Sequence, residues 1–199
     1  MSSVSIQKKI EKAEKTLKEE LGVKNSLALP KITKVVINSG TGKARDKKRN
    51  ELVADRLAKI TGQKASARGS KKSIASFKLR EGEVIGFSTT LRGQRMYDFL
   101  NRLFNVVFPR IRDFKGFDAK CIDEMGNLTV GIKEHTVFPE TADEDIRDVF
   151  GFAITIVTTA KDKKSAKAFF EAIEFRVAIP LSLAFGIFNY KTLSRQQTF

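Results

Sequence analysis

The sequence predicts an α+β domain: a largely antiparallel sheet with helices packed on one face and the other face left free. Three observations carry this expectation. Short β-branched runs recur at residues 32–37, 84–91, 128–133 and 152–158. Stretches whose apolar residues recur at spacings of three and four lie between and around them. The run 84–91 alternates, with Ile85, Phe87, Thr89 and Leu91 on one side and Ser88, Thr90 and Arg92 on the other. Such alternation marks a strand with one buried and one open face. Helices alternating with strands, without internal repeat or low-complexity linker, fit a layered α+β arrangement.

Each element has its own signal. Ile6, Ile10, Ala13, Leu17 and Leu21 form one apolar stripe on a first helix, which Gly22 ends. Pro30 punctuates. Ile32, Val35, Val36 and Ile37 read as a strand that stops at Asn38-Ser39-Gly40-Thr41-Gly42. A second helix is expected from about residue 46 to 60, with Leu52, Val53, Leu57 and Ile60 inward and Gly62 closing it. Residues 63–75 read as a strand and a long mobile loop. Residues 77–80 and 84–91 read as two strands joined at Glu81-Gly82. Met96, Phe99, Leu100, Leu103, Phe104 and Val107 define a third helix that Pro109 is expected to end. Strands at 128–133 and 152–158 and a last helix at 165–173 complete the order.

At 199 residues and 41% hydrophobic, the chain can bury a real core and fits one domain. We expect that domain to span residues 1–176, with an apolar C-terminal extension over 177–199. Most of the 16 Phe residues lie in apolar runs and read as core. A single cysteine, Cys121, allows no disulfide within the chain and fits a reducing compartment. The segment from Ser2 to Leu21 is rich in charge and lacks the apolar stretch of a signal peptide. The longest apolar stretch, 177–188, holds Pro180, Ser182 and Gly186 and is too short to span a bilayer. A soluble cytoplasmic protein is expected.

The charge is the strongest functional signal. The chain carries 37 Lys plus Arg against 23 Asp plus Glu, a net charge of +14. More than half of that excess sits between Arg56 and Arg80: Arg56, Lys59, Lys64, Arg68, Lys71, Lys72, Lys78 and Arg80, with no acidic residue among them. A block of one sign repels itself unless a polyanion lies nearby, and neutralising phosphates releases condensed counterions. Interspersed Gly, Ser and Thr offer short donors to a phosphate backbone. Nucleic acid is the first partner to consider; a merely solvated surface would mix both signs of charge.

Catalytic chemistry finds little support, and neither a cofactor nor a metal is expected. His135 is the one histidine, and Cys121 has no Cys or His at ligand spacing. Gly40-Thr41-Gly42-Lys43-Ala44 follows a strand as a phosphate loop does. It fails the Walker pattern, because Ile37 and Ala44 replace its first glycine and its Ser or Thr. Its glycines still let backbone amides approach a phosphate; a plain strand-to-loop turn is an equal reading. A nucleotide-binding enzyme built on that loop is thus one alternative, and a free-standing RNA chaperone or translational regulator is another. Glu140, Asp143, Glu144, Asp145 and Asp148 cluster after Pro139. Their spacing matches no calcium loop, and acidic residues also suit a first helical turn or a basic protein partner.

Several segments occur together in a telling order. They include Leu29-Pro30-Lys31-Ile32, Val36-Ile37-Asn38, Ile60-Thr61-Gly62-Gln63-Lys64, Lys71-Lys72-Ser73-Ile74-Ala75 and Phe77-Lys78-Leu79-Arg80-Glu81-Gly82. Thr90-Leu91-Arg92-Gly93, Met96-Tyr97-Asp98-Phe99-Leu100, Pro109-Arg110-Ile111-Arg112-Asp113-Phe114, Gly131-Ile132-Lys133-Glu134, Phe138-Pro139-Glu140 and Thr155-Ile156-Val157-Thr158-Thr159-Ala160 follow. Over about residues 5–175 the chain closely resembles bacterial large-subunit ribosomal protein five, of the universal family that binds 5S ribosomal RNA.

The resemblance implies a non-enzymatic part of the large subunit that helps attach 5S rRNA to the central protuberance. It implies contacts with 23S rRNA, with the P-site tRNA, and with a basic small-subunit protein across an intersubunit bridge. It puts the 5S rRNA contact on Asn38, Gly40, Gln63, Lys64, Ser88, Thr90 and Arg92. The loop toward the P-site tRNA would be Lys71, Lys72, Ser73, Ser76 and Lys78. The bridge would fall on Glu140, Asp143, Glu144 and Asp145. Two departures stand out. Lys43 ends the glycine loop, where family members often have an acidic residue, and adds positive charge. About twenty residues follow Glu174-Phe175-Arg176-Val177-Ala178-Ile179-Pro180, the point near which the family usually ends. That tail is apolar, and the expectation is that it packs on its own domain or on a ribosomal neighbour.

Overall fold

The computed structural model describes residues 5–23, 25–42, 47–111, 116–141 and 149–173. The extension over 177–199 lies outside them. Helix α1 (Ile6–Leu21) buries Ile6, Ala13 and Leu17, with Ile10 and Leu21 at the rim of the core. Gly22 ends it in the left-handed conformation (φ 62°) and donates its N–H to the Lys18 carbonyl. A residue with a Cβ would be strained there. At its other end, Ile6 N–H donates to Asn101 Oδ1 at 2.7 Å, which ties α1 to the third helix.

Strand β1 (Ile32–Gly40) is the centre of the sheet. It runs through Asn38-Ser39-Gly40, where the sequence predicts a stop. Pairing overrides the local turn signal: Asn38, Ser39 and Gly40 face Ser88, Phe87 and Gly86, and Ser39 Oγ donates to the Gly151 carbonyl at 2.9 Å. Helix α2 (Lys47–Thr61) buries Val53, Leu57 and Ile60 as expected, while Leu52 is only half-buried. The Thr61 hydroxyl donates to the Leu57 carbonyl at 2.7 Å and closes the last turn.

Strands β2 (Ser66–Gly69) and β3 (Val84–Leu91) pair antiparallel. Residues 77–80 form no strand. A short 3-10 turn, Ala75–Phe77, and a single bridge between Ile74 and Leu79 stand in its place. Helix α3 (Gly93–Arg102) continues through a wide π turn (Leu103–Val107) into α4 (Phe108–Arg110), past the proline expected to end it. The π turn accounts for the difference. Pro109 lacks an N–H, and its ring would collide with the carbonyl four residues back in a regular helix. Phe108 N–H instead reaches back five residues to the Leu103 carbonyl, and the wider turn accommodates the ring.

Strands β4 (Leu128–Ile132) and β5 (Phe152–Thr158) and helix α5 (Lys163–Ala172) follow. The five strands lie in the order β2-β3-β1-β5-β4, and every neighbouring pair is antiparallel. This is the expected α+β class. Val35 and Ile37, Phe87 and Leu91, Ile154 and Ile156, and Leu128 and Val130 point from the sheet into one core. Leu57, Phe99, Leu103, Phe169 and Phe170 meet them from the helices. Burial of such side chains stabilises by about 1.5–3 kcal/mol each. Phe138 reaches under the sheet from between two 3-10 turns and stacks on Phe99, ring centroids 6.0 Å apart. The described helices contribute their buried side chains on this side, and the opposite side of the sheet carries no packed helix among the described residues.

Candidate nucleic-acid interface

Register fixes what the open side of the sheet presents. Successive side chains on a strand point to opposite faces. With Ile37, Phe87, Thr89, Ile154 and Val130 inward, their neighbours point outward. One outward row crosses all five strands. Ser66 faces Ser88, Ser88 faces Asn38, Asn38 faces Ala153, and Ala153 faces Gly131. The next row sets Thr90 beside Val36, Val36 beside Thr155, and Thr155 beside Thr129. The hydroxyls of Thr129 and Thr155 lie 3.2 Å apart. A third row places Arg68, Gly86 and Gly40 side by side.

This face is therefore broad and low in relief, and it is rich in hydroxyls. Small side chains let a bulky ligand approach the sheet closely. Hydroxyls and the Asn38 amide can donate to phosphate or sugar oxygens. The cations stand toward the β2–β3 side: Arg68 on the face, exposed Lys64 two residues before β2, and exposed Arg92 immediately after β3. Gln63 lies at the start of the same segment, half-buried, and its N–H donates to the Thr61 hydroxyl oxygen at 3.2 Å. The structure thus brings Asn38, Ser88 and Thr90 onto one surface, with Gly40 on the third row and Lys64 and Arg92 at the border.

Gly86 makes that surface possible. A Cβ there would sit 2.7 Å from the Ser39 carbonyl oxygen, so β1 and β3 approach closely only because the position is glycine. Gly40 opposite it has open space around its Cβ position. Beyond Gly40, Thr41 N–H donates to the Ile85 carbonyl at 2.9 Å and extends the pairing into the glycine loop. Residues 43–46, including Lys43, lie outside the described residues.

The β2–β3 connection is an arm closed on itself by backbone hydrogen bonds. Ser70 N–H donates to the Glu83 carbonyl, and Gly82 N–H to the Ser70 carbonyl, at 2.9 and 3.0 Å. Ile74 and Leu79 exchange both backbone bonds, at 3.0 and 3.1 Å. Ser73 Oγ donates to the Leu79 carbonyl at 3.0 Å. Lys71, Lys72, Ser73, Ser76 and Lys78 are all exposed on this arm, as are Arg68 and Arg80. The arm thus carries several exposed cations, with Glu81 and Glu83 at its far end, before β3.

The remaining candidates are placed as follows. Glu140 is half-buried and bonds Arg102 Nη1 through Oε1, so it serves an internal ion pair. Asp143, Glu144, Asp145 and Asp148 lie outside the described residues. His135 is fully buried. Its ring stacks on Phe150 at 4.4 Å, and Nδ1 accepts the Phe150 N–H at 3.3 Å. Its Nε2 lies 3.3 Å from Nη1 of buried Arg56. Cys121 is half-buried. Among the described residues no cluster of three or more His, Cys, Asp or Glu could hold a metal ion. No described helix is long and apolar enough to cross a membrane.

Known proteins resemble this chain along most of its length. The family model described as ribosomal protein L5 matches residues 25–80, and the model of that ribosomal family's C-terminus matches residues 84–177. The large ribosomal subunit protein uL5 of Ureaplasma urealyticum is 48% identical over 158 residues, 79% of this chain and 86% of the relative. That of Dichelobacter nodosus is 49% identical over 162 residues, 81% and 90%. That of Trichlorobacter lovleyi is 51% identical over 153 residues, 76% and 86%. The chain belongs to the uL5 family. It is a non-enzymatic structural protein of the large ribosomal subunit, at work in the ribosome in the cytoplasm, with rRNA and ribosomal proteins as its neighbours. The enzyme alternative on the Gly40 loop falls with that assignment. The family match ends at residue 177, where the apolar tail begins.

Several outward residues of this uL5 chain have no place on the face from sequence alone: Ser66 on β2, Ala153 and Thr155 on β5, and Thr129 and Gly131 on β4, while Arg68 on β2 is expected only as part of the basic block. A signal was there for β5. Ala153, Thr155 and Val157 alternate with Phe152, Ile154 and Ile156 just as the residues of β3 do. No local signal tells which strands stand beside β1, and only the pairing order joins these residues to one surface.

Proposed function

We propose that this chain binds 5S rRNA through the open face of its sheet and helps attach that RNA to the central protuberance. The observation that carries the reading is the face itself: five strands with small and hydroxyl side chains, bare of helices among the described residues, with Arg68, Lys64 and Arg92 at one side. Asn38, Gly40, Gln63, Lys64, Ser88, Thr90 and Arg92 are the contacts. Double-stranded RNA offers a wide, shallow minor groove lined with 2′-hydroxyls, and a low, hydroxyl-rich surface complements it in shape. Phosphate neutralisation by the bordering cations supplies affinity.

The same reading gives the arm carrying Lys71, Lys72, Ser73, Ser76 and Lys78 to the P-site tRNA. Cations that hold a backbone without reading sequence suit a site visited by every tRNA. Contacts with 23S rRNA and neighbouring large-subunit proteins accompany these. Glu140, Asp143, Glu144 and Asp145 would meet a basic small-subunit protein across the bridge. For Glu140 that contact would compete with Arg102.

Thr90→Glu tests the central assignment. Thr90 is half-buried and points outward, so the fold tolerates the change. A carboxylate facing phosphates costs affinity strongly, by about tenfold or more. The expected result is a large loss of 5S rRNA binding with an unchanged melting temperature. Unchanged binding would remove the open face from the interface.

A further inference from the structure

The arm between β2 and β3 carries a group that phosphate binding does not use. Phe77 stands on the last residue of the 3-10 turn at its tip and is 70% exposed. Most other described Phe side chains are buried in the core. Ile74, on the same tip, is 42% exposed. The side chain is not on a slack loop. Lys78, directly after it, adopts the left-handed conformation (φ 49°), and its N–H is held by the Ala75 carbonyl at 2.9 Å. Residues with a Cβ adopt that conformation reluctantly, and such strain concentrates where a turn has to present a group. The Ile74–Leu79 bonds close the turn behind it.

We propose that Phe77 is a stacking platform for an exposed base of a structured RNA, added to the cationic grip of the arm. The proposal rests on reading the β2–β3 arm as an RNA-binding arm. Aromatic side chains beside Lys and Arg take up unstacked or terminal bases, because every base offers a π face whatever its identity. The surroundings favour RNA over an apolar protein surface. Exposed Lys71, Lys72, Lys78 and Arg80 share the arm with Phe77, and no acidic side chain lies between residues 56 and 80. An apolar partner would have to desolvate those four cations, whereas a phosphate chain on either side of a stacked base pairs with them. Stacking also adds what charge alone lacks, an attraction that hardly weakens as salt rises.

The chain contains no Trp, so Phe77→Trp introduces a single fluorophore at the tip. The experiment titrates the full-length Phe77→Trp chain with an unmodified tRNA transcript and, separately, with 5S rRNA, following Trp emission. Affinities of the parent, Phe77→Leu, and Lys71→Ala/Lys72→Ala/Lys78→Ala chains are measured across a salt series. Base stacking predicts quenched emission. It also predicts about 5- to 150-fold weaker binding for Phe77→Leu, which keeps apolar bulk but loses the ring. The slope of log K against log salt should stay that of the parent in Phe77→Leu and flatten in the triple variant. Quenching by tRNA alone or by 5S rRNA alone identifies which RNA supplies the base.

Binding by Phe77→Leu as tight as by the parent, or emission that brightens and shifts to the blue, would overturn the stacking role. A flattened slope in the triple variant would then leave the cationic arm standing. A triple variant that binds both RNAs as the parent does would instead overturn the reading of the arm itself.

Discussion

Gly86 is the sharpest test of how the open face is built. A Cβ added there would meet the Ser39 carbonyl oxygen at 2.7 Å, where ordinary contact begins near 3.4 Å. The obstacle is backbone, so β1 and β3 would have to part by several tenths of an ångström. The neighbouring Thr41 N–H to Ile85 carbonyl bond, now 2.9 Å, would lengthen with them. Overpacking of this kind costs about 1–3 kcal/mol. Gly→Ala also stiffens the unfolded chain, which favours folding by roughly 0.4–1 kcal/mol. Gly40→Ala shares that second effect but meets nothing within 4 Å. The difference between the two variants therefore isolates the steric term. In a domain of this size each kcal/mol moves the melting temperature by about 2–4 °C. Thermal unfolding followed by circular dichroism should find Gly86→Ala melting about 2–12 °C below Gly40→Ala. Equal melting temperatures for the two would refute the close approach of the central strands.

Three further outcomes are expected. Lys64→Ala and Arg92→Ala should each weaken 5S rRNA binding and flatten its salt dependence by about 0.7–0.9 in the log–log slope, one phosphate contact apiece; an unchanged slope would take that residue off the list of phosphate contacts. Arg102→Ala should destabilise by about 1–3 kcal/mol in urea unfolding. Glu140 Oε2 is already buried without a hydrogen-bond partner among the described residues, and the variant strips Oε1 as well; removing Glu140 too should recover part of the loss. Deleting residues 177–199 should lower solubility or incorporation into the large subunit if the apolar tail packs on its domain or on a neighbour, and no change in either would end that idea.

Much of the fold was legible because its signals are local. The stripe from Ile6 to Leu21 with Gly22 behind it defines α1 to the residue. The alternation of β3 gave the inward and outward sets correctly, Thr89 buried and Thr90 turned out. Local signals failed where a neighbour decides. Asn38-Ser39-Gly40 is turn-like in isolation and becomes strand because β3 and Gly151 bond it. Residues 77–80 have strand-like composition but fold back on Ile74 within a few residues, too short a span for a ladder. Pro109 should end a regular helix, and nothing in the sequence announces the π turn that admits it. The candidate site divided the same way. Residues on β1 and β3 have a local signal for the face they take, whereas those on β2, β4 and β5 join that face only through the strand order. Glu140 looked like part of a free acidic cluster, and its partner Arg102 lies 38 positions away in the chain.

On the reading proposed above, the open sheet face recognises 5S rRNA as a shape and does not merely attract any polyanion. The most direct measurement is binding of the full chain to 5S rRNA across a salt series, with tRNA as competitor. Shape recognition should give tight binding that survives the competitor and is lost in Thr90→Glu. Binding erased by tRNA, or indifferent to a carboxylate on the face, would contradict it.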